Sequence, residues 1–160
     1  MFSKIFGLFQ EKEVKHQNSH LSDEQKQLIV ACETGDIGAT LDLSDIDVNY
    51  FDDTGWAPIH YAAQIGNMPI IRILCNSNAN PNLITKDGYT PAHLLISYFN
   101  RIMNAMKSGS LPQEQGIGLI QQCMNCFNSL ISAGADLTIK SPQGIIPQDF
   151  LQKIGAIHHI

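Results

Sequence analysis

The segments DDTGWAPIHYAAQIGN (52–67) and TKDGYTPAHLLISYFN (85–100) align with Gly55 on Gly88, Pro58 on Pro91 and His60 on His93, each at an offset of 33. A fixed period of this length constrains the fold more than any other feature. A unit that short cannot bury its own apolar face, so neighbouring units have to stack and share a core. The same offset joins Asn49 to Asn82 and Ile46 to Ala79. Further on, the offset becomes 56: it joins Ala79 to Ala135 in GADLTIK, Gly88 to Gly144 and Pro91 to Pro147. Gly66 and Gly155 differ by 89, so the register survives a single enlargement, from 33 to 56, that falls between His93 and Ala135.

The chemistry within a unit reads as a pair of helices. Pro58 and Pro91 suit the first turn of a helix, where the missing N–H costs nothing. Ala62 and Ala63 let helices approach closely, and Gly66 fits the tight turn that ends the first of them. Ile70, Ile71, Ile73 and Leu74 then supply the apolar face of a second, antiparallel helix.

Residues 54–82 closely resemble the ankyrin repeat, with a Gly-containing turn, a T-P-L-H-like helix start, "AA..G", an apolar second helix and a closing "GAD.N"-like turn. Residues 87–94 and 130–138 carry the same elements, and 144–155 match as a reduced final unit. The segment LSDEQKQLIVACETGDIGATLDLSDIDVN lacks the T-P-L-H element but keeps Ala31, Gly35 and Asn49. The resemblance implies an all-α fold: an α-solenoid of stacked antiparallel helix pairs with β-turn fingers, over about residues 21–160. Its units fall at about 21–51, 52–84, 85–140 and 141–160, the third enlarged by a helical insertion and the last a capping half-repeat. Residues 1–20 are left as an N-terminal cap or tail. There Phe2, Ile5, Phe6 and Phe9 form an apolar stripe at helical spacing, suited to covering the first unit. Contact of that stripe with a membrane surface is the weaker alternative, since Lys4 alone offers little attraction to headgroups.

The third unit carries the insertion. Where the second unit stops at Gly66, the third has Phe99, and Leu95, Phe99, Ile102 and Met106 continue at spacings of four, three and four. A helix to Met106 or Lys107 is predicted, followed by a turn in SGSLPQEQGIG. A second amphipathic run places Leu119, Ile120, Cys123, Met124, Phe127, Leu130 and Ile131 on one face. The hairpin should thus be longer by about 15 Å in each arm at about 1.5 Å per residue. Met103, Met106 and Met124 are expected between the arms, where adaptable side chains fill irregular gaps.

Composition excludes several classes of function. The net charge is −5, and residues 27–85 hold seven acids against Arg72 alone, which argues against nucleic acid as a partner. Cys32, Cys75, Cys123 and Cys126 lie in apolar runs and read as reduced core residues of a cytoplasmic protein. Cys123 and Cys126 form a C-x-x-C, but zinc wants four ligands, and His158 and His159 at the chain's end complete no such set. A metal-dependent or enzymatic protein built on these cysteines and histidines is the rival reading. No cofactor is expected. His60 and His93 occupy the ankyrin T-P-L-H position, which implies hydrogen bonding to neighbouring turns rather than catalysis. No phosphate-binding loop or nucleophile motif is present.

The expected function is non-catalytic binding of another protein by a monomeric module, through its concave finger and helix face, with the extended hairpin as a further candidate surface unless it serves only to pack. In the ankyrin family the partner lies along a concave face of finger tips and outer first-helix positions. That implies Asp53, Thr54, Trp56, Gln64 and Ile65 in the second unit, Lys86, Asp87, Tyr89, Ser97 and Tyr98 in the third, and Gln143 and Ile145 in the last. Trp56 and Tyr89 would anchor it, as aromatic side chains commonly do at interfaces; packing between adjacent fingers is the competing role. Enrichment in Asn, Gln and Ile also resembles effectors of intracellular bacteria acting on host proteins.

Overall fold

The computed structural model describes residues 20–36 and 43–155, so the N-terminal stripe lies outside the described residues. Six helices and no strand are present among them: α1 (Asp23–Thr34), α2 (Pro58–Gln64), α3 (Met68–Asn76), α4 (Pro91–Lys107), α5 (Gln113–Ser132) and α6 (Pro147–Lys153). α1 and α2 pack together, α2 on α4, and α3 on α5, while α6 closes against α4. First helices therefore stack on first helices and second on second, the solenoid arrangement that the period requires.

Local chemistry sets the helix ends. Ser22 accepts from the Gln25 N–H while the Gln25 side chain accepts from the Ser22 N–H, a reciprocal cap at the start of α1. α2 and α4 begin at Pro58 and Pro91, and a histidine ring replaces the hydroxyl or carboxylate cap. The Ala57 N–H donates to His60 Nδ1 at 2.9 Å, and the Thr90 N–H to His93 Nδ1 at 3.1 Å. At the end of α2 the Asn67 N–H returns to the Ala62 carbonyl and the Gly66 N–H to Ala63, with Gly66 at φ 64°. α3 and α5 stop in the same way, through Ala79 on Leu74 and Ala135 on Leu130.

One apolar core runs the length of the stack. Ile29 and Cys32 of α1, Ile59, Ala62 and Ala63 of α2, Ile71 and Leu74 of α3, Leu95 and Ile102 of α4, and Cys126, Phe127 and Leu130 of α5 are fully buried. α6 contributes Leu151, and its Phe150 ring meets Phe99 edge to face at 5.3 Å.

The third unit has the lengthened hairpin. α4 has 17 residues against 7 in α2, and α5 has 20 against 9 in α3, so each arm gains about 15 Å. The turn is shorter than expected from SGSLPQEQGIG. Only 108–112 connect the helices, anchored by buried Leu111, whose N–H donates to the Ala105 carbonyl. Gly116 and Gly118 lie inside α5, not in the turn. Gly116 is there because Met106 packs on it: an added Cβ would lie 2.3 Å from the Met106 sulfur. Of the three methionines expected between the arms, Met106 packs there on Gly116, Met124 packs against the core, and Met103 is half-buried.

The added helix also clasps the unit before it. Arg101 donates to the Gln64 carbonyl and lies over the Tyr98 ring at 5.8 Å. Gln122 Nε2 donates to the Gly66 carbonyl at 2.9 Å, and the Cys126 thiol to the same oxygen at 3.4 Å. Two carbonyls at the end of α2, where a helix runs out of partners of its own, are thereby satisfied from the third unit.

Candidate functional site

Three fingers are built on one hydrogen-bond frame. The N–H of Asp52, Thr85 and Ser141 donates to the carbonyl of Trp56, Tyr89 and Ile145 at 2.8, 2.9 and 2.9 Å. The N–H of Gly55, Gly88 and Gly144 returns to the first residue of each turn, and all three glycines have φ near 80°, a region that side chains bearing a Cβ resist. The first residue's side-chain oxygen then accepts from the fifth residue's N–H, at 3.0, 3.1 and 3.2 Å. Each finger thus ends in a fixed position carrying Trp56, Tyr89 or Ile145.

Asp52 goes furthest. Its buried carboxylate also accepts from the Thr54 N–H, the Thr54 hydroxyl and the Tyr61 hydroxyl. Burial pushes this carboxyl up, but the bonds from Thr54, Tyr61 and Trp56 outweigh it and hold it below the usual Asp value. Asp52 is not among the residues expected from the sequence, although its equivalents Thr85 and Ser141, at offsets of 33 and 89, also carry side-chain oxygens.

The fingers are tied to one another. The Lys86 N–H donates to the Gly55 carbonyl at 3.3 Å, and the Lys86 stem covers Gly55 as Pro142 covers Gly88. His60 Nε2 donates to the Leu83 carbonyl at 3.0 Å and His93 Nε2 to Ile145 at 3.1 Å, so each imidazole caps its own helix and grips the next finger. Burial lowers His60 to about 4 and lowers His93 as well, so both are neutral near pH 7. Asn49 bridges to the Asn78 carbonyl and the Asn80 N–H, and Asn82 repeats this with Gly134 and Asp136.

The finger tips expose Asp53, Lys86, Asp87, Gln143 and Ile145, and leave Thr54, Trp56 and Tyr89 half-buried. Trp56 leans on Tyr61 at 5.1 Å and meets the His60 ring edge on, and Tyr89 does the same to His93, so both also have packing roles. Asp53 pairs with His20 at 3.0 Å, and the Thr54 hydroxyl is committed to Asp52. On the helices, Gln64 and Ile65 are half-buried and Ser97 is exposed. Tyr98 departs from expectation: it is 5% exposed, pressed on Gly66 beneath Arg101, so its ring faces inward. Phe51 and Ile84, overlooked in the sequence, stand 39% and 47% exposed at equivalent finger positions.

The rival site around the C-x-x-C has different surroundings from those a metal or redox centre needs. Cys123 and Cys126 are buried and directed to the Leu95 and Gly66 carbonyls. Burial pushes the Cys123 thiol up to about 12 and raises Cys126 too, which keeps both protonated rather than as ligating thiolates. Among the described residues no group of three His, Cys, Asp or Glu side chains lies within reach of one ion, and no helix is long and apolar enough to cross a membrane.

Comparison with known proteins agrees with the geometry. A family model for ankyrin repeats (3 copies) matches residues 5–85 and again 28–108. "Ankyrin repeat, SAM and basic leucine zipper domain-containing protein 1" of Callithrix jacchus is 31% identical over 147 residues, covering 90% of this chain and 27% of that protein. The "2-5A-dependent ribonuclease" of Mus musculus is 35% identical over 72 residues, 43% of this chain and 10% of that one. The "Probable 26S proteasome regulatory subunit p28" of Saccharomyces cerevisiae is 38% identical over 50 residues, 30% of this chain and 22% of its own. The chain spans between 10% and 27% of the length of these relatives. With the repeated finger frame, the histidine clamps and the family match over most of its length, the chain belongs to the ankyrin repeat family.

Proposed function

We propose that the chain is a non-catalytic protein-binding module whose partner lies along the finger tips and the adjoining first-helix positions. The observation that carries this reading is the repeated frame, which presents Trp56, Tyr89 and Ile145 at one equivalent position, beside exposed Phe51 and Ile84. A preorganised row of large apolar groups binds without first having to be ordered. Asp53, Lys86, Asp87 and Gln143 form its polar rim, and Gln64, Ile65 and Ser97 extend it along the helices.

The histidines support a binding rather than a chemical role, since both ring nitrogens of His60 and of His93 are engaged by backbone. All four cysteines are free thiols, which favours a reducing, cytoplasmic setting, and we take the module to be a monomer. The effector reading rests on composition alone; a translocation reporter without signal would count against it.

The test is affinity capture from a cell lysate with three forms of the chain: native, Ile84→Asp with Ile145→Asp, and Lys107→Gln at the exposed end of α4, away from the fingers. Both isoleucines are exposed, at 47% and 42%, so the double variant should keep its melting temperature within a few degrees. A partner held by native and Lys107→Gln but lost from the double variant supports the reading. Equal capture by all three refutes it.

A further inference from the structure

The outer face formed by the second helices holds a cleft that is separate from the fingers. Arg72, Cys75 and Asn76 of α3 face Asn128, Ser129 and Ser132 of α5 around about 360 Å³. That volume falls at the small end of ligand sites. Stacking makes it, because Arg72 and Asn128, like Asn76 and Ser132, stand at the offset of 56 that relates the two units.

The lining holds one base, Arg72, and no acid. Arg72 is exposed and makes no hydrogen bond or ion pair with any described residue. The helix ends beside it do not occupy it. The Ile73, Leu74 and Cys75 carbonyls take the Ser77, Ala79 and Asn78 N–H groups, and those of Ser129, Leu130 and Ile131 take Ala133, Ala135 and Gly134.

We propose that this cleft binds a carboxylate. A guanidinium presents paired N–H groups matched to the two oxygens of a carboxylate. The side-chain amides of Asn76 and Asn128 and the Ser132 hydroxyl add neutral donors around it. The Ser129 hydroxyl is already committed to the Asn125 carbonyl at 3.0 Å and offers only lone pairs. The space exceeds one carboxylate, so the group arrives on a larger body: an acidic side chain of a peptide, or a small dicarboxylic acid.

The test is an NMR titration of the full chain, following the Arg72 Nε–Hε signal and the side-chain amides of Asn76 and Asn128. The probes are glutarate, the peptide acetyl-Ala-Glu-Ala-amide, and its Gln counterpart. Saturable shifts with glutarate or the Glu peptide are expected, about tenfold weaker with the Gln peptide and absent from both Asn amides in Arg72→Gln. Saturation by glutarate alone assigns the site to free acids, and saturation by the peptide assigns it to a protein ligand. Arg72 is exposed, so Arg72→Gln should keep its far-UV spectrum. Shifts that merely follow ionic strength, equal affinity for the Gln peptide, or unchanged Asn shifts in Arg72→Gln would overturn the proposal.

Discussion

Replacing Gly66 by alanine tests how tightly the lengthened hairpin grips the unit before it. Two costs add. The residue sits at φ 64°, where a side chain with a Cβ loses about 1 kcal/mol. The new Cβ would also lie 2.2, 2.6 and 2.8 Å from Tyr98 Cε1, Cδ1 and Cζ. Tyr98 cannot swing aside freely, being buried with the Arg101 guanidinium over its ring. Nor can the Gly66 backbone retreat without lengthening its bonds to Gln122 and Cys126. Overpacking of this kind costs roughly 1–3 kcal/mol, which gives about 2–4 kcal/mol in all. Gly134→Ala is the internal control, with φ 91° and nothing within 4 Å of the added atom, so only the conformational cost of about 1 kcal/mol applies. Urea unfolding followed by circular dichroism measures both. Combining Gly66→Ala with Tyr98→Ala should cost less than the two singles together by about 1–2 kcal/mol, since the clash needs both partners. Equal losses for Gly66→Ala and Gly134→Ala, or strict additivity with Tyr98→Ala, would refute the argument.

Three further outcomes are expected. Because burial lowers His60 from 6.5 to about 4, the unfolded chain takes up a proton there before the folded chain does. The part of the stability that His60 contributes is therefore fully present above pH 6.5 and is lost as pH falls from 6.5 to about 4, at roughly 1 kcal/mol per unit, a loss that His60→Gln should remove in urea titrations across that range while that of His93 stays. Asn82→Ala should cost about 1–2 kcal/mol in the same assay, because the Asp136 N–H and the Gly134 carbonyl both lose their partner. Trp56→Ala should weaken partner capture and, since the ring packs on Tyr61 and His60, also cost about 1 kcal/mol, whereas Ile145→Asp should weaken capture with little loss of stability.

Much of this was legible in the sequence because repetition converts faint signals into register. His60 and His93 could be placed from their spacing, and the missing stop at Phe99 located the longer helix. The errors came where one residue type serves two purposes. Gly116 and Gly118 read as turn residues, but Gly116 is small so that Met106 can lie across it inside α5. Tyr98 sits at an outer helix position by phase, yet the glycine at 66 leaves a space beside it that its ring fills. Such contacts depend on what the adjacent unit lacks, and a single unit's pattern does not carry that information. Asp52 was hidden for a related reason: Asp, Thr and Ser share a role as acceptors at equivalent positions without resembling one another.

The clasp of the third unit onto the second makes the seams of this stack unequal. One seam is sewn by Arg101, Gln122 and Cys126 in addition to the His60 grip, while the seam to the last unit has the His93 grip, the Gln148 N–H on Leu137 and one pair of phenylalanine rings. In a linear array stability is a sum over seams, so the weaker one opens first. The C-terminal half-unit should then come away as a separate step, exchanging its amide hydrogens well before the second and third units, which open together as one block.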